Sequence, residues 1–202
     1  MHYKKIRWVR KLLSLFILLF ALVYYFTNLQ VILITLSSFL LVFFSFYTLD
    51  HYRFNNKIIR LFLKLYPKKE EDKNTLFPSD IRFFISTIIL LLLFPKDIAI
   101  YSLIILTFCD DAEQIFGIKY KIKNLPWNKD KNLAGLLGGF VAAVFVGYLS
   151  VKILNFENIS YSAIILSSII ASLAGTLKRY DNETMPWGTS LTLTLLRKTL
   201  GS

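Results

Sequence analysis

Long apolar runs dominate this chain and limit the folds that are open to it. A helix that crosses a bilayer needs about 20 mostly apolar residues. Six stretches approach that length, namely 8–27, 29–48, 80–95, 97–115, 134–153 and 160–177, and a seventh, 187–200, is shorter. The runs lack the alternation of apolar and polar residues that membrane-spanning strands require. The sequence therefore predicts an all-α, polytopic membrane protein with about six or seven transmembrane helices.

The composition agrees with one integral membrane domain over residues 1–202. Hydrophobic residues make up 55% of the chain and charged residues only 18%, against about 25% in soluble proteins. We expect an N-terminal helix pair over 8–48, a basic cytoplasmic loop over 49–79, and a core over 80–202. In the loop, Lys and Arg at helical spacing indicate either an interfacial helix or an extension of the second span.

The distribution of positive charge predicts the orientation of the chain. With the N-terminus in the cytoplasm, the inside segments are 1–11, 49–82, 110–133 and 178–186, and they hold 20 of the 24 Lys and Arg residues. Lys and Arg accumulate in cytoplasmic loops of membrane proteins. This bias accounts for the net charge of +11 without nucleic acid as a partner.

Few residues are available for a disulfide or a soft metal site. Cys109 is the only cysteine, and the two histidines, His2 and His51, lie far from it in sequence. An internal disulfide is therefore excluded, and a Cys/His metal site is disfavoured. A hard cation held by carboxylates remains open.

The first of two polar islands, residues 109–140, begins with acidic residues at the end of an apolar run. Asp110 and Glu113 are three residues apart with Asp111 between them, so a continuing helix would place both on one face. A divalent cation such as Mg²⁺ would relieve their repulsion. The alternative is a solvated helix end that Lys119 or Lys121 neutralises.

The same island continues with lysines and then glycines. Lys131 lies just before a helix start, where the positive end of the helix dipole favours phosphate. Gly135, Gly138 and Gly139 follow it, and close helix packing explains them better than ligand approach does. Anchoring at the cytoplasmic face is the alternative explanation for the lysines.

The second polar island, residues 178–186, is shorter. Lys178 and Arg179 close an apolar run and could bind phosphate, while Asp181 and Asn182 could bind a metal ion or nucleotide. The alternative is a turn rich in Asp and Asn that Pro186 ends.

Together the two islands resemble the CTP-dependent lipid kinases, which include dolichol kinase, phytol kinase and a diacylglycerol kinase that uses CTP. That family has a GDxxA…G block, a KSxEG block and a DNxTxP block, and CDDAEQIFG, KNLAGLLGGF and DNETMP match them here. The matching residues are Asp110, Gly117, Lys131, Gly135, Asp181, Asn182, Thr184 and Pro186. The resemblance covers roughly residues 80–200.

Several positions depart from the family pattern. Cys109 replaces a glycine, Glu113 occupies the position of a small residue, Asn132 replaces a serine, and Ala134 replaces a glutamate. The chain is also similar to the phosphatidate cytidylyltransferases through GLLGGFVAAVFVG, although DNETMP fits the kinases better. Three hypotheses therefore stay open: a lipid kinase, a cytidylyltransferase that makes a CDP-lipid, and a non-catalytic membrane protein derived from the family.

The kinase resemblance implies transfer of the γ-phosphoryl group of CTP to the hydroxyl of a polyprenol, phytol or diacylglycerol at the cytoplasmic face. It implies that Asp110 and Asp181 bind Mg²⁺ and that Asp111 or Glu113 accepts the hydroxyl proton. The implied nucleotide- and phosphate-binding residues are Lys131, Gly135, Lys178, Arg179 and Asn182.

Overall fold

The computed structural model describes the backbone of residues 8–51, 57, 79–177 and 181–200, and the side chains of residues 16–49, 57, 81–177 and 182–199. Within these ranges the chain forms seven helices and no strand. The helices are α1 (Trp8–Phe26), α2 (Leu29–His51), α3 (Ser79–Leu93), α4 (Lys96–Lys119), α5 (Leu133–Ile153), α6 (Tyr161–Gly175) and α7 (Asp181–Leu200). The predicted all-α class is confirmed for this part of the chain.

The last helix begins earlier than the sequence predicted. It starts at Asp181 and contains Pro186, so the predictions of a helix over 187–200 and of a turn ended by Pro186 are wrong. A proline in the second turn removes one backbone hydrogen bond of the helix. Burial of Met185 and Pro186 offsets that loss, because buried apolar surface stabilises the fold.

Two predictions fall outside the residues that the structure describes. The interfacial helix within the loop 49–79 lies there, apart from residue 57, and so do Lys178 and Arg179. The interfacial helix and the phosphate contacts of Lys178 and Arg179 therefore stay predictions.

The helices belong to two compact units. One unit comprises α1 and α4 to α7, and the other spans Thr27–Leu93 with α2 and α3. In the smaller unit, α2 packs against α3 through aromatic rings: Phe43 and Phe84 lie 5.4 Å apart between centroids, and Phe39 stacks on Phe84 at 6.4 Å. Such ring pairs stabilise an interface beyond the area that they bury.

Helix α4 is the centre of the larger unit. It contacts α1, α5, α6 and α7, and the segment from Ile98 to Thr107 is buried on every face. A helix that is apolar all round is typical of a core surrounded by other helices. The charged residues of the first island follow directly after this core segment.

Helix α5 has small residues on its buried face and large apolar residues on its exposed face. In α5 the buried residues are Ala134, Gly135, Gly138, Gly139, Ala143, Gly147 and Ser150. Leu137, Val141, Phe145, Leu149 and Ile153, spaced four apart, are 36% to 70% exposed and form a stripe about 24 Å long. Small residues at helix contacts and large apolar residues outside are typical of helices in hydrocarbon.

Two helices in the described ranges are long and apolar enough to cross a membrane. They are Leu29–Leu49 and Leu133–Ile153, and shorter apolar helices span Phe16–Phe26, Ile81–Leu93 and Tyr161–Gly175. With the exposed apolar stripe of α5, they support a membrane protein. The count of six or seven spans stays a prediction.

One end of the larger unit is closed by polar contacts. Lys96 donates a hydrogen bond to the Tyr25 backbone oxygen at 3.0 Å, and Arg197 forms an ion pair with Asp97. These contacts join the end of α1, the start of α4 and the end of α7. The opposite end therefore holds the end of α4 and the start of α7, where the two polar islands lie.

Candidate functional site

The acidic residues of the first island lie on an uninterrupted helix. Helix α4 continues through them to Lys119, and the Tyr120 N–H closes it on the Phe116 oxygen. Asp110 and Asp111 are partly buried, whereas Glu113 is buried. The three carboxylates therefore differ in their access to solvent, which the sequence did not predict.

Glu113 carries the most enclosed carboxyl group of the cluster. Its side chain is 0% exposed, and its Oε2 lies 3.3 Å from the Lys131 Nζ. The Cys109 thiol donates a weak hydrogen bond to Oε1 over 3.8 Å. A buried carboxylate needs such partners because desolvation of an unpaired charge is costly.

Two glycines make room for the Glu113 carboxyl group. A Cβ atom on Gly175, the last residue of α6, would lie 2.8 Å from both Cδ and Oε2 of Glu113. A Cβ atom on Gly139 of α5 would overlap the Glu113 Cγ. Helices α4, α5 and α6 therefore meet around this carboxyl group, and a side chain at either glycine position would force the Glu113 side chain to shift.

The glycines at the start of α5 pack against α4. A Cβ atom on Gly135 would lie 2.8 Å from the Glu113 backbone oxygen, and one on Gly138 would lie 2.6 Å from Phe116. Close packing was the favoured interpretation of both glycines, and the geometry agrees with it. The predicted phosphate contact of Gly135 is not tested by these distances.

The connection between α4 and α5 is a compact loop, residues 120–132. The Leu125 N–H donates to the Lys131 oxygen at 3.0 Å, and the Lys131 N–H donates to the Asn128 oxygen at 3.1 Å. Asn132 accepts a hydrogen bond from the Gly135 N–H at 2.9 Å and donates to the Gly117 oxygen at 2.7 Å. The backbone around Lys131 is thus fixed to both helices.

The same loop reaches across to the end of α6. The Trp127 Nε1 donates to the Thr176 Oγ1 at 2.9 Å, and the Asn128 Nδ2 donates to the Thr176 oxygen at 2.7 Å. Thr184 in the first turn of α7 donates to the Ala174 oxygen at 3.5 Å. The first island and the start of α7 therefore both contact the end of α6.

The remaining predicted residues are described only in part. The backbone of Asp181 begins α7, and Asn182 follows it with a partly buried side chain. Among the side chains that the structure describes, no three His, Cys, Asp or Glu groups gather into a metal cluster. The pairing of Asp110 with Asp181 at one metal ion stays a prediction.

Gly175 and Thr176 contribute to this site although no sequence pattern predicted a role for them. They follow the small residues Ala171, Ser172 and Ala174 at the end of an apolar helix. A small-residue stripe that ends next to a polar island was the available signal, because such stripes mark close helix contacts. The stripe does not indicate that α4 and its Glu113 side chain form the other side of this contact.

The fold and the site define a helical protein with an exposed apolar stripe on α5 and a buried carboxylate paired with a partly exposed lysine at one end of its larger unit. The chain is 30% identical over 195 residues, 92% of either chain, to the uncharacterized protein RP860 of Rickettsia prowazekii. It belongs to the same family as that protein.

A second similarity is to a protein that is named as a kinase. The chain is 36% identical over 81 residues to CTP-dependent diacylglycerol kinase 1 of Schizosaccharomyces pombe. The match covers 40% of this chain and spans little more than a third, 37%, of that relative. It supports kinship with the CTP-dependent lipid kinases. No family model matches the chain, and no solved structure matches it.

Proposed function

We propose that this protein is a membrane lipid kinase that transfers the γ-phosphoryl group of CTP to the hydroxyl of diacylglycerol, phytol or a polyprenol. The observation that carries the proposal is that both polar islands contact the end of α6. Trp127 of the first island donates to Thr176, and Thr184 of the second donates to the Ala174 oxygen. These islands hold the blocks that resemble the kinases. The partial similarity to a CTP-dependent diacylglycerol kinase supports the same conclusion.

The reaction requires alignment and charge compensation more than covalent chemistry by the protein. The lipid hydroxyl oxygen forms a bond to the γ-phosphorus, and the bond between that phosphorus and the bridging oxygen of CDP breaks. Asp111 or Glu113 accepts the hydroxyl proton and releases it to solvent. Lys131, Gly135, Lys178, Arg179 and Asn182 bind the nucleotide phosphates.

The carboxylates suit a magnesium ion. Mg²⁺ takes one or two protein carboxylates and completes its shell with water and phosphate oxygens. Asp110 is partly buried on α4, and Asp181 opens α7, a helix that contacts α4. When bound there, the ion would neutralise negative charge on the triphosphate.

A lipid acceptor fits the exterior of the molecule. The apolar stripe of α5 would keep an acyl or prenyl chain in hydrocarbon while its hydroxyl reaches the polar end of the unit. The positive-inside distribution supports a multi-pass chain with this end in the cytoplasm, where CTP is available.

The decisive experiment offers labelled nucleotides to the purified protein in lipid nanodiscs. CTP labelled at the γ-phosphate, CTP labelled at the α-phosphate, and γ-labelled ATP are each incubated with diacylglycerol, phytol, a polyprenol and phosphatidate. The kinase proposal predicts γ-label in a lipid alcohol and release of CDP.

The other two hypotheses give different products in the same experiment. A cytidylyltransferase transfers the α-label to phosphatidate and releases pyrophosphate. A non-catalytic protein transfers neither label to any lipid. Either outcome would contradict the proposed function.

A further inference from the structure

We infer that Glu113 is a positioning residue whose buried carboxylate fixes the Lys131 ammonium group for the phosphates of the nucleotide. The inference rests on the proposed function and deepens it, because it assigns a different role to one of the two candidate proton acceptors. In this account Asp111 accepts the proton of the lipid hydroxyl, and Glu113 acts only through Lys131.

The enclosure of Glu113 argues against direct contact with substrate. Its side chain is 0% exposed, and a Cβ on either Gly139 or Gly175 would collide with it. A general base must come within hydrogen-bond reach of the proton that it removes. Asp111 is only partly buried, so a substrate hydroxyl could reach its carboxylate.

Lys131 has the access that Glu113 lacks. Its side chain is 28% exposed while its Nζ stays 3.3 Å from the Glu113 Oε2. An ammonium group has three N–H donors, so a bond to Glu113 is compatible with bonds to phosphate oxygens. The Lys131 ammonium group is therefore accessible to solvent, while the Glu113 carboxylate that holds it is enclosed.

Both ends of the Lys131 residue are held. At the backbone, its N–H donates to the Asn128 oxygen and its oxygen accepts from the Leu125 N–H. At the ammonium group, the carboxylate of Glu113 is confined by the two glycines. Ordering a free lysine side chain costs about 2 kcal/mol of rotamer entropy. The contacts at both ends of Lys131 restrict the side chain before the nucleotide binds, so binding loses less entropy.

The departures from the kinase pattern are consistent with this role. Ala134, two residues beyond Asn132, replaces the glutamate of the KSxEG block, and Glu113 stands where the first block has a small residue. Ala134 is buried next to Gly135 in the first turn of α5. This turn therefore lacks the carboxylate of the kinase pattern, whereas α4 carries one at Glu113.

The test is steady-state kinetics of CTP turnover in single and double variants. Glu113→Gln keeps the size of the side chain and removes its charge. We expect KM for CTP to rise about fivefold, as for the loss of one ordered long side chain, with kcat within about threefold. Glu113→Asp keeps the charge and should raise KM less. In a Lys131→Met background, Glu113→Gln should change KM for CTP by less than about twofold.

A matched control is Glu157→Gln, which removes the same charge from an exposed loop position at the opposite end of α5. It should leave KM for CTP and kcat unchanged. Thermal unfolding of every variant separates loss of binding from loss of fold. If Glu113→Gln does not fold, the comparison of Glu113→Asp with and without Lys131→Met replaces it.

Two results with an active wild-type protein would overturn the inference. One is a loss of kcat of a hundredfold or more at unchanged KM, which would make Glu113 the proton acceptor. The other is an undiminished effect of the Glu113 variant in the Lys131→Met background. A wild-type protein that turns over no CTP instead contradicts the proposed function, and the inference fails with it.

Discussion

At the scale of single residues, Gly175 sets how closely α6 approaches the buried carboxyl group of Glu113. A methyl group at this position would lie 2.8 Å from the Glu113 Cδ, and overpacking of this kind costs about 1–3 kcal/mol. We expect Gly175→Ala to lower the thermal unfolding temperature by several degrees and to reduce CTP turnover.

Gly117→Ala is the control for this prediction. Its Cβ atom would lie 3.5 Å from the Asn132 Oδ1, an ordinary contact, and alanine favours a helix by up to about 1 kcal/mol over glycine. The unfolding temperature should therefore stay the same or rise slightly. Equal destabilisation of both variants would contradict a specific cost of the contact between position 175 and Glu113.

The Glu113–Lys131 pair also makes a prediction for stability. Lys131→Met leaves a buried carboxylate without its ammonium partner, which should destabilise the fold by about 1–3 kcal/mol because the lysine is partly exposed. Adding Glu113→Gln removes the unpaired charge and should recover part of the loss. Thermal unfolding of the four proteins measures the coupling, and strictly additive losses would show that the pair contributes nothing.

Sequence reasoning reached part of this cluster. The spacing of Asp110 and Glu113 predicted one helical face, and Lys131 was singled out because it precedes a helix start. The difference in burial between the carboxylates was not accessible, because it depends on Gly175, which is more than sixty residues away along the chain. Local patterns indicate which residues carry charge, whereas long-range packing decides which of them meet solvent.

At the scale of secondary-structure elements, Asn132 joins two helices. It caps α5 through the Gly135 N–H and holds the last turn of α4 through the Gly117 oxygen. Asn132→Ala should cost about 1–2 kcal/mol, measured by thermal unfolding. Asn132→Asp keeps the cap but loses the donor, so it should fall between the alanine variant and the wild type.

Ser160 provides the comparison for this prediction. It caps α6 through the Ala163 N–H at 3.3 Å and shares a hydrogen bond with Ser162 of the same helix. Its hydroxyl bonds no other helix among the residues that the structure describes. Ser160→Ala should therefore cost less than Asn132→Ala. A larger loss at Ser160 would contradict the role of Asn132 as a link between α4 and α5.

The elements themselves were largely predictable, because long apolar runs leave few alternatives to helix. The exception was the start of α7, where Asp181 and Asn182 favour a turn and Pro186 disfavours a helix interior. Tertiary burial of Met185 and Pro186 outweighed these local preferences. The second polar island is consequently the first turn of a helix, at least from Asp181 onward.

At the scale of the whole molecule, α5 must cross the membrane if the orientation predicted from charge is right. Cys109 is buried, so cysteines introduced at the exposed residues Asp130 and Glu157 can be labelled selectively. We expect a membrane-impermeant thiol reagent to label Glu157→Cys in intact cells and Asp130→Cys only after permeabilisation. Labelling of both from the same side would contradict a spanning α5.

We infer that the two islands form one phosphotransfer site, and substitution of a predicted metal ligand is the direct test of this inference. The variants Asp110→Asn and Asp181→Asn are compared with the wild type. The control is Asp130→Asn, which changes an exposed aspartate of the loop. The measurement is the transfer of γ-label from CTP to the lipid alcohol that the wild type accepts. We expect the transfer rate to fall about a hundredfold or more in Asp110→Asn and Asp181→Asn, because removal of charge-stabilising groups in a transfer site has effects of this size. The rate of Asp130→Asn should change little. Transfer at the wild-type rate by Asp110→Asn and Asp181→Asn would contradict this inference.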